Sequence, residues 1–549
     1  MSESKKTIGL LSNITADLVA GKLRKKYDFY IPEGYDTWIQ EVINPDSLLY
    51  QKQLDAIIVL LDGTLARAWR TASEGDERIS LWMQGVTSLV NNVSVPMFIS
   101  TIDFRENRIK SYSERKNKNK WEYEWYHFVQ QLVEEKSNVY VFDLADTIAE
   151  IGRKQFYSNK MWYMSGMPFS RDGLNAVSGE IDRALGAVFT TRKKIIALDL
   201  DNTLWGGVIG EDGVEGIELS DHKEGQRYYD FQRQLLEMKN RGIVLGIVSK
   251  NNEEDAEIAI QNYPAMLLRD DDFVSRKINW ENKAVNLKAM EEDLNLTEGG
   301  FIFIDDNPVE RETVKGECPD MLVPNFPTDT TELLEFAEGI WFDYCRPLRV
   351  LSEDLKKTQM YQNEAKRKHE MSESLNLDDY IAKLEMVADI HRMRDSELDR
   401  VVQLINKTNQ FNVTTKRYTQ TEVEAIAAKP DNAIYVVYSS DKYGDSGLIS
   451  VIILIGSDVD VRIDTFLMSC RVMGRKLEDV IIYELVAKYK KKMIGEYIPT
   501  AKNAPVRELF DRLGFMLVSD ENGHKIYELD GTGCPNKEFS VYKEIRFEG

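Results

Sequence analysis

Residues with catalytic side chains follow three short apolar runs in the middle of this 549-residue chain. Asp199 and Asp201 stand at the end of Ile195–Leu200, Ser249 follows Ile243–Val248, Asp305 and Asp306 follow Phe301–Ile304, and Lys283 lies between the last two groups. Such runs are typical of buried parallel strands, and ligands of open α/β sheets bind at the carboxyl ends of the strands. An isolated pair of aspartates is most simply a solvated strand end, but this ordered set predicts one chemical site.

Phosphoryl transfer gives each of these side chains a task. The Asp199 carboxylate is placed to attack phosphorus, and the aspartyl-phosphate so formed divides one difficult displacement into two easier ones. Asp201, on the same side of the strand end, is placed to protonate the leaving oxygen and later to activate water. Ser249 and Lys283 supply a hydroxyl and a cation to the equatorial phosphate oxygens, where charge spreads in the transition state.

The aspartates also predict a metal site. Mg²⁺ prefers oxygen ligands, and Asp199, the backbone carbonyl of Asp201, and Asp305 supply them. Asp306 is either a further ligand or a residue that supports the ligands. A bound Mg²⁺ would neutralise charge between carboxylate and phosphate, so the residues alone predict a Mg²⁺-dependent phosphatase or phosphotransferase.

The four groups, in this order, resemble the motifs of the haloacid dehalogenase (HAD) superfamily. The first motif is Asp199/Asp201/Thr203, and the others are Ser249, Lys283 and Asp305/Asp306. The resemblance implies a Rossmann-like domain with a parallel sheet. Because the intervals between the first three motifs leave little room for a lid domain, we expect an open, capless site. Such a site suits a substrate carried on a macromolecule, or one covered by another domain.

A narrower resemblance lies in three stretches of sequence. Asp199–Gly213 (DLDNTLWGGVIGEDG), Thr408–Asn412 (TNQFN) and Ser469–Arg475 (SCRVMGR) resemble the FkbH-like proteins, and the likeness covers most of the chain. The resemblance implies a dephosphorylating glyceryl transferase. Such an enzyme takes the three-carbon unit of 1,3-bisphosphoglycerate, removes phosphate, and leaves glyceryl as a thioester on an acyl carrier protein.

The last part of the chain resembles the GNAT acyltransferases. The run Val461–Ser469 leads into a loop and an amphipathic helix, and the free N–H groups of such a turn form an anion cradle. The resemblance assigns cofactor binding to the loop residues Arg471, Gly474 and Arg475. Lys476 stands where the family loop has a small residue, so coenzyme A and a carrier-bound phosphopantetheine both remain candidate ligands.

Cys470 adds a further hypothesis beside this loop. Its thiol is placed to receive the glyceryl group as a thioester before the carrier thiol does. The alternative is a small buried residue that closes a strand, because a thiol needs a lowered pKa to react.

The first part of the chain predicts an α/β domain around the runs Ile8–Leu11, Ala56–Leu61, Val95–Ile102 and Val139–Phe142. Ser12 follows the first run, as the nucleophile of SGNH hydrolases does. Those enzymes need a downstream histidine base, whereas His127 stands in a predicted helix and the next histidine is His222. We therefore interpret Ser12 as structural and the domain as a docking module without hydrolase activity.

These patterns divide the chain into residues 1–190 (SGNH-like docking domain), 191–350 (capless HAD domain), 351–385 (helical connector) and 386–549 (GNAT-like domain). The predicted fold class is α/β, with a Rossmann-like parallel sheet in the HAD domain and an α+β domain at the end.

Composition and charge exclude other classes. The chain has 70 Lys and Arg against 91 Asp and Glu, and its net charge of −21 argues against a nucleic-acid or membrane partner. Its four cysteines lack metal-ligand spacing, and no run is long enough to span a bilayer. We expect a cytoplasmic enzyme.

Three basic segments are candidate contacts for an acidic carrier protein: Arg105–Lys120, Lys366–Lys368 and Lys488–Lys492. The first is more simply a solvated helix face. Two other functions also fit the sequence. One is a stand-alone phosphatase for a small phosphate or sugar phosphate, and the other is a non-catalytic pathway scaffold, which has no chemical need for the intact set of site residues.

Overall fold

The computed structural model describes residues 5–294, 296–351, 354–372, 374–469, 472–531 and 539–548. The chain divides into two units, Met1–Thr191 and Arg192–Gly549.

The first unit is built on a five-stranded sheet with the order β2-β1-β3-β4-β5, in which all neighbouring strands are parallel. The strands are β1 (Lys6–Ser12), β2 (Tyr27–Tyr30), β3 (Ala56–Leu60), β4 (Met97–Ser100) and β5 (Val139–Phe142). The helices are α1 (Asp17–Leu23), α2 (Trp38–Ile43), α3 (Leu48–Gln51), α4 (Ala72–Asn92), α5 (Lys118–Glu135), α6 (Leu144–Ile151), α7 (Arg153–Phe156), α8 (Asn159–Ser165) and α9 (Arg171–Phe189). Because helices cover both faces of the sheet, its central strands are continuous apolar runs, and all of β3 is buried.

The helical interpretation of Arg105–Lys120 is wrong for most of the segment. Residues 105–117 form a loop, and α5 begins only at Lys118. Polar side chains accept hydrogen bonds from backbone N–H groups of the loop, which a helix would use for its own hydrogen bonds. Asn107 Oδ1 accepts from Ile109 N at 2.9 Å, and Glu106 Oε2 accepts from Asn117 N at 3.2 Å. Such local bonds compete with helix formation.

The second unit begins with a four-stranded parallel sheet of order β8-β7-β6-β9. Its strands are β6 (Ile195–Leu198), β7 (Val244–Ser249), β8 (Phe273–Ile278) and β9 (Phe301–Ile304), and its helices are α10 (Ile209–Asp212), α11 (Gln226–Lys239), α12 (Glu253–Asn262), α13 (Lys283–Leu294), α14 (Pro308–Glu317) and α15 (Leu333–Ile340). Side chains of β6 alternate between two apolar cores, one on each face of the sheet. Residues 202–282, all of which the structure describes, contain helices and the sheet strands β7 and β8 but no lid domain, as the short intervals predict.

Two helices, α16 (Lys357–Ser372) and α17 (Leu377–Leu384), lead into an eight-stranded mixed sheet of order β15-β16-β14-β13-β12-β11-β10-β17. Its strands are β10 (Val387–Arg392), β11 (Ala433–Asp441), β12 (Gly444–Gly456), β13 (Asp460–Met468), β14 (Lys492–Tyr497), β15 (Met516–Glu521), β16 (His524–Leu529) and β17 (Glu544–Glu548). The accompanying helices are α18 (Leu398–Lys407), α19 (Gln420–Ala427), α20 (Leu477–Tyr489) and α21 (Leu509–Arg512). The predicted α/β class with a final α+β domain is confirmed.

The motif Thr408–Asn412 has a structural role in this sheet. Strands β13 and β14 pair in parallel only from Asp460 to Ile463 and then diverge. The chain at 411–413 fills the gap: Val413 N donates to Phe466 O at 3.1 Å, and Met468 N donates to Phe411 O at 3.0 Å. Backbone groups that the divergence would leave unpaired are thereby satisfied.

Candidate functional site

The predicted catalytic residues converge at one edge of the four-stranded sheet. Asp199 follows β6, Ser249 ends β7, Asp305 follows β9, and Lys283 is the first residue of α13. Because β6 lies between β7 and β9, its carboxyl end brings Asp199 to the middle of this edge. A cavity of about 320 Å³ opens here, lined by Asp199, Asp201, Asn202, Ser249, Lys250, Lys283, Asp306, Asn307, Pro308 and Glu310.

A buried lysine holds two of the aspartates together. Lys283 Nζ lies 2.9 Å from Asp199 Oδ2 and 2.6 Å from Asp305 Oδ2. Burial alone would lower the pKa of Lys283, but the two carboxylates outweigh it and raise that pKa. Burial, reinforced by repulsion from Asp199 and opposed by Lys283, raises the pKa of Asp305 to about 6.

The side chains of Asp199, Asp305 and Asp306 form a cluster that suits a divalent cation. One carboxylate oxygen from each lies within 4.8 Å of the others. Burial, followed by repulsion from Asp199, raises the pKa of Asp306 to about 6. Lys283 forms ion pairs with only two of these three carboxylates, and an added hard cation with oxygen ligands would relieve their repulsion. On this donor set the residues fit Mg²⁺.

Asp201 points to a different set of partners. Its Oδ1 accepts from Trp205 Nε1 at 3.0 Å and from Ile209 N at 3.1 Å, and its Oδ2 accepts from Asn251 Nδ2 at 2.9 Å. Burial raises the pKa of Asp201, although these three hydrogen bonds oppose the shift. The side chain is therefore fixed apart from the three-carboxylate cluster, in a place suited to exchanging a proton at the cavity.

Several residues that support the site were not predicted. Asn251 orients Asp201, and Arg311 Nη1 donates to the backbone oxygens of Asp305 and Asp306 at 2.8 and 2.5 Å. Lys250 and Glu310 form an ion pair of 2.7 Å at the rim of the cavity. Asn251 and Lys250 follow Ser249 directly, so their position beside a predicted strand end was the available signal. Arg311 could not be predicted in this way, because it lies in the first turn of α14 and not directly at the end of a predicted strand.

The predicted acyltransferase loop is described in part. Cys470 and Arg471 lie outside the described residues. Gly474 adopts a positive φ of 76°. Arg475 is buried, and its Nη2 lies 2.9 Å from Glu364 Oε1 on α16, with Asp441 at 3.8 Å from Nη1. Its guanidinium is thus engaged by two acidic residues of the same unit.

Among the described residues, the hydroxyl of Ser12 in the first unit bonds only to backbone groups and not to a histidine. Its Oγ donates to Leu60 O at 2.6 Å and accepts from Ile14 N at 3.3 Å. Although Ser12 lines a second cavity of about 290 Å³, no histidine lines that cavity. The hydroxyl is used to join β1 to β3, as its structural interpretation predicts.

Comparisons with known proteins agree with this arrangement. Residues 13–183 match the family model described as FkbH, N-terminal domain. The N-terminal part of BF1531 from Bacteroides fragilis, described as containing a phosphatase domain complexed with Mg, is 25% identical with a TM-score of 0.57; the match covers 62% of this chain and 94% of that one. The part of this chain covered by that match is similar in fold to the phosphatase-containing structure.

Smaller matches involve acetyltransferases. The ribosomal-protein-S18-alanine N-acetyltransferase of Escherichia coli is 11% identical, with a TM-score of 0.22, over 28% of this chain and 99% of its own. The PaiA N-acetyltransferase of Thermoplasma acidophilum, in complex with coenzyme A, is 12% identical, with a TM-score of 0.20, over 26% and 98%. A comparison with curated proteins gave no match. Among the described residues, no helix combines the length and apolar character needed to cross a membrane.

Proposed function

We propose that this chain, which carries an FkbH N-terminal domain and a HAD-type phosphatase domain, is a Mg²⁺-dependent glyceryl transferase. It would take the three-carbon unit of 1,3-bisphosphoglycerate, release phosphate, and leave glyceryl on the thiol of an acyl carrier protein in the cytoplasm. The observation that carries the proposal is the convergence of Asp199, Asp201, Ser249, Lys283 and Asp305 on one cavity.

The phosphoryl step follows from this geometry. An Asp199 oxygen attacks phosphorus of the phosphomonoester, the bond from phosphorus to the substrate oxygen breaks, and Asp201 gives that oxygen a proton. Water then attacks phosphorus of the aspartyl-phosphate and Asp201 takes its proton. The bond from phosphorus to the Asp199 oxygen breaks, so that inorganic phosphate leaves and the Asp199 carboxylate is regenerated. Lys283 and Ser249 hold the phosphate oxygens throughout. Mg²⁺, held by Asp199, Asp305 and Asp306, would supply charge neutralisation at the same oxygens.

The acyl step uses the other end of the substrate. A mixed anhydride of a carboxylic and a phosphoric acid is already activated, so a thiolate can attack its carbonyl carbon. The new C–S bond replaces the C–O bond to phosphate, and that phosphate leaves with the bonding electrons. The final thiol is that of the carrier's phosphopantetheine, with coenzyme A as the alternative ligand of the same loop. Cys470 is the intermediate thiol of this proposal.

The test is to incubate the chain with 1,3-bisphosphoglycerate, Mg²⁺ and a holo-acyl carrier protein and to measure the intact mass of the carrier. We expect the mass of one glyceryl group to be added by the wild type but not by Asp199→Asn. The stand-alone phosphatase is the alternative, favoured by the completeness of the phosphatase site by itself. It would release phosphate without a carrier, add nothing to the carrier, and remain active after truncation near Met386.

A further inference from the structure

The first unit carries a basic loop, residues 105–117, that differs in charge from the rest of the protein. The segment Arg105–Lys120 that contains it has seven Arg or Lys residues and two Glu, whereas the whole chain has a net charge of −21. Both glutamates are engaged within the loop: Glu106 pairs with Lys110 at 3.3 Å, and Glu114 Oε2 accepts from Ser111 N at 2.5 Å. Glu114 is nevertheless exposed, and the basic character of residues 105–117 rests on five Arg or Lys residues against two Glu.

The shape of the basic loop is held by the domain beneath it. The Arg105 guanidinium carbon lies 3.8 Å from the centroid of the Tyr157 ring, and Arg105 N donates to Gly63 O at 3.0 Å. Glu106 Oε2 accepts a hydrogen bond from Asn117 N and so joins the two ends of the loop. Lys110 Nζ donates to Arg115 O at 3.2 Å. A surface that is ordered before its partner arrives loses less entropy on binding.

The tip of the basic loop exposes apolar groups between cations. Ile109 is 92% exposed and Tyr112 is fully exposed. Arg108, Arg115 and Lys116 are also exposed, and none of them forms an ion pair with any residue that the structure describes. Large apolar side chains surrounded by free cations are typical of a surface that another macromolecule covers.

The other basic segments do not offer such a surface. Arg367 is buried and pairs with Asp441 at 2.5 Å, and the side chain of Lys368 lies outside the described part of the chain. Lys488 lies over the ring of Tyr435 at 5.4 Å, and Lys492 pairs with Glu528 at 3.0 Å. Lys366 and Lys490 are exposed, but among the described side chains neither segment combines several exposed cations with an exposed large apolar residue.

We propose that the basic loop, residues 105–117, is the docking surface for an acidic carrier protein. The identity of the partner rests on the proposed function, and the chemistry it must show is a small acidic surface with an apolar residue that meets Ile109 and Tyr112. The excess of cations on the basic loop complements an acidic partner, and the exposed side chains of Ile109 and Tyr112 complement an apolar residue on the same partner surface.

The test uses the full chain with holo-acyl carrier protein and with free pantetheine as a small thiol acceptor. One variant reverses the free cations (R108E/R115E/K116E), another removes the apolar tip (Ile109→Ser with Tyr112→Ser), and a charge-matched control reverses exposed cations elsewhere in the unit (K25E/K160E/R171E). We expect each loop variant to raise the KM for the carrier about tenfold or more, because contacts worth over a kcal/mol are lost. Loading of pantetheine and hydrolysis of p-nitrophenyl phosphate stay at the wild-type level, as does the control variant with the carrier.

An unchanged carrier KM in the loop variants would overturn the docking proposal while leaving the transferase intact. If the wild type loads neither acceptor, the transferase fails instead, and binding of a fluorescent carrier decides the docking proposal separately. The docking proposal is supported if the loop variants lose binding of the carrier and the control variant keeps it. The proposal is overturned if the chain binds only to anionic lipid vesicles.

Discussion

Lys283 donates to Asp305 across 2.6 Å, and neither side chain exposes more than 4% of its surface. The same ammonium group contacts Asp199 at 2.9 Å, so one cation holds the proposed nucleophile beside a proposed metal ligand. Removing one member of a buried ion pair leaves an uncompensated charge, which is more costly than the pair itself.

Lys283→Met therefore affects both stability and activity. We expect the free energy of unfolding of the surrounding sheet to fall by about 3 kcal/mol or more, and phosphatase activity to be lost. Amide hydrogen exchange in β6 and β9 measures the first effect, and phosphate release measures the second. Lys288→Met, on the exposed face of the same helix, is the matched control, and equal protection in both variants would contradict the structural role of Lys283.

Asp201→Asn separates the proton-transfer role from phosphate binding. An asparagine can accept the bonds from Trp205 and Ile209 but cannot exchange a proton, so the turnover of an alkyl phosphate should fall by about 10²–10⁴-fold. The loss in the first step should be smaller for p-nitrophenyl phosphate, whose leaving group needs no proton. The burst of p-nitrophenol in rapid mixing checks this, and equal losses of the first-step rate for both substrates would exclude Asp201 as the acid.

Mg²⁺ removal tests the three-carboxylate cluster. Chelation should abolish phosphate release, and added Mg²⁺ should restore it while slowing amide exchange at the ends of β6 and β9, because binding to the folded state stabilises it. Asp306→Asn should need a higher Mg²⁺ concentration for half-maximal activity. Asp320→Asn, an exposed aspartate outside the cluster, should behave as the wild type.

The buried carboxyl group of Asp62 should make the stability of the first unit depend on pH. Burial raises its pKa to about 6 in the folded state, although it accepts from Thr64 N and Tyr157 Oη. Since the folded pKa lies above the unfolded value of 3.8, the protonated acid favours folding below about pH 4, and this contribution is lost as the pH rises through 6. Asp62→Asn removes that dependence.

The expected difference is that Asp62→Asn gains stability relative to the wild type between pH 4 and pH 8, by an amount on the order of 3 kcal/mol. Hydrogen exchange in β3, corrected for intrinsic rates at each pH, measures it. A difference between the two proteins that stays constant across this range would show that Asp62 does not carry the effect.

The apolar runs made most of the site predictable. The strands β6 and β9 are continuous apolar segments, so the polar residues at their carboxyl ends could be placed at one edge. Strand β8 was not predicted, because its second half contains Arg276 and Lys277 and is only partly buried. Strand β2 was missed for the same reason, since Asp28 interrupts its short apolar pattern.

The remaining contacts depend on long-range packing. The charge of Arg475 suits phosphate, but Glu364 on α16 forms an ion pair with it. No local sequence pattern predicts a contact between residues so distant in sequence. The motif Thr408–Asn412 is similar. It carries the resemblance to the FkbH-like proteins, but its letters do not show that residues 411–413 fill the gap between β13 and β14.

The most direct test of the central claim is to identify the residue that accepts the phosphoryl group. The variant Asp201→Asn, which lacks the base for hydrolysis, is mixed with p-nitrophenyl phosphate and Mg²⁺ and then quenched. Treatment with borohydride then reduces any aspartyl-phosphate to homoserine. Peptide mass spectrometry should then find homoserine at position 199 and nowhere else in the chain. Release of p-nitrophenol with an unmodified Asp199, or homoserine at another aspartate, would contradict the proposed chemistry.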